Sequence, residues 1–372
     1  MKVSLLSENL QKKILFANHA VSNRGQLPIL SNFLIKAKKG NLIIKSTDLE
    51  IGISIEIPAK VEEEGITAVS AKIFSELVSM IPTGKINLNL NKHGLELTTE
   101  KIKTVFQVST PDEFPKLYEN IGEETMTIKK EDVTKIFNKV IFATSQENTR
   151  PILSGVLFKK QKNKLLVVAT DGYRLSLKES VLGNKEDLKG EVLLIVPTRV
   201  IRELIVMSKN EGDIKGYIAK ENNQMVFLQN GTVLVGRAIE GEFPNYEKII
   251  PDSFSTKTSF DREELQKAIK ACYVFARETT NVVRFSIKKE KMIVSSSAPS
   301  VGETSVDVEA RMTGEENEIA FNGRYLLDLL SNIEEDTMSF EMSGSVSPGV
   351  FKVEKDPTFL HLIMPIRVQQ GG

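Results

Sequence analysis

Three histidines, one cysteine and a Thr-Asp-Gly triplet are the residues from which this chain would have to build chemistry. His19, His93 and His361 lie in separate segments, which suggests neither a metal cluster nor a nucleophile with its base. A single cysteine, Cys272, excludes an intrachain disulfide and any cysteine-based zinc site, and is expected to fill core. Thr170-Asp171-Gly172 could be an acidic site, but the related Thr47-Asp48-Leu49 lacks the glycine, so a turn-forming aspartate is the better reading. No glycine-rich phosphate loop of either common type is present. The expectation is a protein with no catalytic residues, no metal and no cofactor.

Binding is the remaining route to function, and bulk charge does not name a partner. Lys+Arg and Asp+Glu both total 49, so nucleic-acid affinity would depend on where the charges sit. At 372 residues with 41% hydrophobic content, the chain exceeds one ordinary core and predicts two or three domains. No stretch approaches the roughly 18 apolar residues of a membrane span, and the first ten residues do not read as a signal peptide. A cytoplasmic protein is expected.

A long internal repeat supplies the elements that position everything else. Ile29-Leu30-Ser31 recurs as Ile152-Leu153-Ser154, and Thr47-Asp48 as Thr170-Asp171, all displaced by 123 residues. The same shift carries Leu10, Ile14 and Ala17 onto Val133, Phe137 and Val140. A shift of 255 carries them onto Leu265, Ile269 and Cys272. Each set has the i, i+4, i+7 spacing of an amphipathic helix. A second helix is predicted three times, at 72–77, 199–204 and 324–329, in the order basic, apolar, apolar, any, acidic, leucine. Alternating runs at 42–57, 165–177 and 292–308 read as half-exposed antiparallel strands. Glu113-Phe114-Pro115 and Glu242-Phe243-Pro244 close the first two units. The expected domains are 1–122, 123–252 and 253–372, each an α+β unit of two helices on antiparallel sheets.

The repeat also permits a test of charge placement within one sequence. Lys12, Lys135 and Lys267 are equivalent, and so are Lys72, Arg199 and Arg324. At about 100° per residue, a lysine two positions after a buried residue faces away from the core. Outward helix positions are often basic, but recurrence in six predicted helices favours a shared surface suited to phosphate contacts without sequence readout. Aromatic content is 6% with no Trp, which disfavours a single-strand stacking groove and leaves duplex DNA as the better fit.

The three-unit pattern, the segment Ala169-Thr170-Asp171-Gly172-Tyr173-Arg174-Leu175-Ser176, the tail Ile363-Met364-Pro365-Ile366-Arg367, Leu27-Pro28-Ile29-Leu30 and the two Glu-Phe-Pro corners together resemble the beta subunit of bacterial DNA polymerase III. The resemblance spans the whole chain. It implies a non-catalytic sliding clamp and processivity factor: a head-to-tail homodimer whose repeated DNA-clamp domains form a ring around double-stranded DNA. The implied partners are a clamp loader complex, the DNA polymerase III alpha subunit, and other polymerases and repair proteins carrying clamp-binding peptide motifs.

By motif match, the resemblance implies a peptide pocket between the second and third domains. Its residues would be Leu153, Thr170, Gly172, Tyr173, Arg174, Leu175, Pro244, Lys248, Ile249, Val346, Leu362, Met364, Pro365, Ile366 and Arg367. Apolar Leu175, Ile249, Leu362 and Met364 would receive ligand side chains, and Arg174 would bond a peptide carbonyl. Tyr173 stands where the family often has His, Lys248 where some relatives carry Arg, and the tail runs on past Arg367, which leaves the fine peptide preference open. For DNA the resemblance adds Arg24, Gln146 and Arg150 to the six basic helix positions. For a dimer seam it points to Phe106, Val274 and Phe275. Two rivals are a repeat scaffold that binds only proteins and an enzyme whose site assembles between units. The first predicts no dependence on duplex DNA, and the second a titratable cluster at a domain joint.

Overall fold

A computed structural model describes residues 1–22, 27–118, 121–147, 149–183, 191–219 and 223–367. Among these residues the chain forms six α-helices: α1 (Ser7–Asn18), α2 (Ala71–Met80), α3 (Lys130–Ile141), α4 (Thr198–Met207), α5 (Arg262–Ala276) and α6 (Gly323–Ser331). Helices α1, α3 and α5 begin at positions separated by the same 123 and 255 residues that relate their sequences. The predicted stripe is the buried one. Leu10, Ile14, Ala17, Val133, Phe137, Val140, Leu265, Ile269 and Cys272 are all at 0% exposure. Burial and a bond from Cys272 Sγ to the Val294 carbonyl make Cys272 a core residue, its thiol pushed up to about 11. Where a cap is made, its chemistry is ordinary: the Asp261 side chain accepts from Glu264 N to open α5, and Asn322 does the same for Arg324 N at α6.

Each predicted alternating run is a hairpin. Asn41–Thr47 pairs with Ile51–Pro58, Lys164–Thr170 with Arg174–Val181, and Lys291–Ala298 with Gly302–Gly314. By spatial proximity the chain falls into two units. One comprises Met1–Val133, Leu182–Gly190 and Arg199–Ala238; the other comprises Thr134–Val181, Glu191–Thr198 and Ile239–Gly372. This division cuts the second repeat, and strand pairing explains it. In the first unit, Ile51–Pro58 of the first repeat pairs with Thr232–Arg237 of the second, with Ile55 opposite Thr232, inside a nine-stranded sheet. In the second unit, Arg174–Val181 of the second repeat pairs with Asp356–Ile363 of the third, with Leu175 opposite Leu362, inside a twelve-stranded sheet. Backbone bonds therefore continue through both boundaries between repeats, and a joint of this kind is far stiffer than a loop linker.

Both joints are packed by the same recurring motifs. In the first unit, Ile29, Leu30 and Phe114 form one apolar cluster with Val226, Val233 and Val235. In the second, Leu157, Val168, Leu175, Val350 and Leu362 form the counterpart, with Ile152 and Phe243 packed against it. The Pro-Ile-Leu-Ser turns and Glu-Phe-Pro corners thus deliver their apolar residues to the joints. A larger core lies under α5 and α6, where Phe321 meets Phe340 edge-on at 5.8 Å and 87°.

Candidate functional site

The Thr-Asp turns have one geometry in both copies. Thr47 Oγ1 donates to the Ile51 carbonyl and accepts from Leu49 N, while Asp48 accepts from the backbone of Glu50 and Ile51. Thr170 and Asp171 repeat these bonds with Arg174, Gly172 and Tyr173. The third turn position has positive φ in each, +78° at Leu49 and +94° at Gly172. Asp171 therefore shapes a turn, and only the second copy places the residue there that adopts this conformation freely.

Each turn is tied to the second helix of the following repeat by charge. In the first unit, Arg199 on α4 reaches Asp48 at 2.5 Å and Glu50 at 3.1 Å. Glu203 on the same helix meets His19 at 2.7 Å. In the second unit the basic partner has moved to the turn. Arg174 Nε donates to Asp171 at 3.0 Å and Nη1 to Asp328 of α6 at 2.7 Å. Its guanidinium lies 4.5 Å from the Tyr325 ring centre, and the residue is 7% exposed. Arg174 thereby holds the turn against α6.

The pocket residues separate into floor and rim. Leu153, Thr170, Leu175 and Leu362 are buried. Leu175 and Leu362, both at 0% and facing each other across the strand pair, belong to the apolar cluster that forms the floor. Around this cluster stand exposed apolar groups: Tyr173 (64%), Val346 (63%), Ile249 (42%) and Met364 (38%). Met364 N donates to the Tyr173 carbonyl at 2.8 Å, which joins two of them directly. Val346 lies in the loop before Gly349, which pairs with Ile363. Lys248 and Ile249 occupy the 3-10 turn Tyr246–Ile249, whose Tyr246 is buried in the cluster, while Pro244 is exposed and Pro365 half-buried. Ile366 N donates to the Ala320 carbonyl, so the segment through Arg367 runs along the strand Asn317–Asn322.

Lys12, Lys72, Lys135, Lys267 and Arg324 are exposed on their helices, as the spacing predicts. Lys267 pairs with Glu263 at 2.8 Å, and Arg199 is already engaged as described. Gln146 is exposed. Arg150 is exposed too, with its Nη1 3.6 Å from where a β-carbon on Gly172 would stand, so it lies beside the Thr170–Arg174 turn. Arg24 lies outside the described residues. Of the seam candidates, Val274 is 50% exposed and Phe275 partly so, whereas Phe106 is 6% exposed and packs 5.2 Å from the Phe74 ring.

Several structural residues have no signature in the sequence. Lys13 Nζ donates to the carbonyls of Glu56 and Asn230, tying α1 to a turn of the second repeat. Its neighbour Lys12 is the same residue type, and only helical phase separates them. Lys139 on α3 is enclosed by Glu335 and Asp356, and Lys178 adds a second bond to Asp356 at 2.6 Å. Burial works against the charges here, but the bonds from Lys139 and Lys178 outweigh it and hold the Asp356 carboxyl well below the usual range. Tyr325 and Asp328, which position Arg174, are legible in sequence only as parts of a repeated helix.

Three repeats, each with two helices on antiparallel sheets and joined by shared strands, define the DNA-clamp class of protein. The models of the DNA polymerase III beta subunit match in order: the N-terminal domain at 1–118, the central domain at 127–245 and the C-terminal domain at 247–367. A beta sliding clamp from Staphylococcus aureus is 30% identical over 361 residues, covering 94% of each chain. The crystal structure of a DNA polymerase sliding clamp from Bacillus subtilis superposes with a TM-score of 0.93 at 26% identity, covering 99% of this chain and 100% of that one. The beta subunit from Thermotoga maritima gives 0.90 at 28%, with the same coverage. The chain belongs to the DNA polymerase III beta subunit family, the beta sliding clamps, whose role is that of a non-catalytic processivity subunit.

Proposed function

We propose that two copies of this chain, each with domains at 1–122, 123–252 and 253–372, close head to tail into a ring around duplex DNA in the cytoplasm. The observation that carries this reading is the repeated strand joint. Strands 51–58 and 174–181 each accept the last strand of the next repeat, Thr232–Arg237 and Asp356–Ile363. The equivalent elements left over are Lys103–Phe106, the first repeat's counterpart of Thr232–Arg237, and Gly302–Gly314. Lys103–Phe106 is the edge of a five-stranded sheet. On Gly302–Gly314, residues 302–309 pair only with Lys291–Ala298 among the described residues. A third joint between copies would satisfy both edges, and two such heterologous contacts close a ring. Val274 and Phe275 would flank that seam, with Phe106 supporting the strand from beneath.

Within the ring, Lys12, Lys72, Lys135, Lys267 and Arg324, together with Arg24, Gln146 and Arg150, would meet phosphates weakly and without reading bases, which is what sliding requires. The rim of Tyr173, Ile249, Val346 and Met364 would take short apolar peptides from a clamp loader, the polymerase alpha subunit and other polymerases and repair proteins. Arg174, Leu175 and Leu362 would serve beneath it as floor.

Retention on DNA tests the topology. After treatment with clamp loader and ATP, the protein is expected to stay on a nicked circular duplex and to run off the same DNA cut to give free ends. Equal retention on both would mean ordinary surface binding and end the ring reading.

A further inference from the structure

A cavity of about 870 Å3 is lined by Ile366 and Arg367, the last two residues of the pocket set, by Arg284, and by Thr304 and Ser305 on the strand proposed above to meet a second copy. Its lining mixes apolar Val282 and Ile366 with the hydroxyl residues Thr279, Ser295, Ser297 and Ser305 and the arginines Arg284 and Arg367. Strand register lays out the floor. Ala320, Arg284, Ser295 and Ser305 are successive cross-strand neighbours, so they form one row on one face of the sheet. Ile366, bonded through its backbone N to Ala320, stands at one end of that row. Met364 of the apolar rim is two residues from Ile366 along the chain. Glu303 is the one carboxylate in the lining, and no carboxylate among the described residues pairs with Arg284 or Arg367.

We propose that this groove is a second subsite for partner peptides, taking an acidic segment that flanks the apolar anchor. The proposal rests on the peptide-pocket reading and deepens it by naming the class of flanking sequence. Charge complementarity selects the occupant. Two guanidinium groups among hydroxyl donors, neither in an ion pair among the described residues, favour carboxylates over a neutral or basic chain. The volume falls in the range of sites that hold several residues of a ligand. Exposed pairs of this kind add modest affinity and mainly specificity, and they weaken as salt screens them.

Fluorescence anisotropy on the full chain tests this with three synthetic peptides. They share one apolar anchor and carry Glu-Glu, Gln-Gln or Lys-Lys on either side of it. The acidic peptide is expected to bind about fivefold more tightly than the neutral one at low salt, with the advantage shrinking as salt rises. R284E, at an exposed position outside the apolar rim, should abolish that advantage while leaving the neutral peptide unchanged. Equal affinities for all three, or an acidic advantage that survives R284E, overturns the groove. An advantage that emerges only after removal of residues 368–372 would assign the groove to the chain's own tail and overturns it equally. Failure of the neutral peptide to bind at all sinks the apolar-pocket reading instead. The acidic segment alone, tested at high concentration against wild type and R284E, then decides the groove separately.

Discussion

His361 is fully enclosed, with Nδ1 at 2.6 Å from Ser176 Oγ and Nε2 without a partner among the described residues. Burial first, and the nearby Arg174 second, push its protonation well below the ordinary value of 6.5. The unfolded chain therefore binds a proton in a range where the folded chain does not. Stability is complete above about pH 6.5 and falls as pH drops below it. Urea unfolding followed from pH 7 to 5 should show this loss, and H361Q, which keeps a polar partner for Ser176, should flatten it. Asp356 acts in a separate, more acidic window. Its carboxyl is held low by Lys139 and Lys178, so its contribution is present above the ordinary carboxylate range and is lost as pH falls through it. None of this could be read from the chain, because nothing near His361 in sequence announces that Arg174 and Ser176 will enclose it.

The instructive comparison among elements is between the two Thr-Asp turns. Each is anchored to the second helix of the next repeat, but the cation sits on the helix in one unit, at Arg199, and on the strand in the other, at Arg174. Removing Arg174 would leave Asp171 and Asp328 without their common partner. Arg174→Ala is expected to cost about 2–4 kcal/mol, toward the lower end because Asp328 keeps some access to water. It should also weaken peptide binding by freeing the turn that carries Tyr173. Arg174→Lys, which keeps the charge but not the fork to both carboxylates, should recover only part of each loss. Denaturant unfolding together with anchor-peptide titration checks both effects. The helices themselves were plain in the sequence, since the burial stripe and starting points of α1, α3 and α5 follow from apolar spacing. That the turns would dock on helices of another repeat was not.

Across the whole molecule, the six recurrent basic helix positions are not equivalent. Lys72 and Arg324 are exposed and in no ion pair among the described residues, whereas Arg199 is spent on Asp48 and Glu50. The double variant Lys72→Glu, Arg324→Glu should weaken binding to short duplex DNA and reduce the salt slope by about one for each phosphate left unneutralised, with an unchanged melting temperature. Arg199→Glu should do the opposite, lowering the melting temperature through repulsion with Asp48 and Glu50 while changing the salt slope little. Duplex titrations at several salt concentrations, paired with thermal melts, separate the two. Were both sets to behave alike, sixfold recurrence would be sufficient evidence of a shared role.

Periodicity and repetition in the chain dictated three α+β units, their six helices and the buried face of each, because those features depend on residues close together along the backbone. The family was legible for the same reason, through short motifs in fixed order. Tertiary structure decided which motif residues are reachable. Leu175 and Leu362 became floor, Tyr173, Val346, Ile249 and Met364 became rim, and Arg174 and Arg199 each pair with a carboxylate more than a hundred residues away. Burial and ion pairing are properties of neighbours in space, and strand pairing across repeat boundaries, which brings those neighbours together, leaves no mark in local spacing.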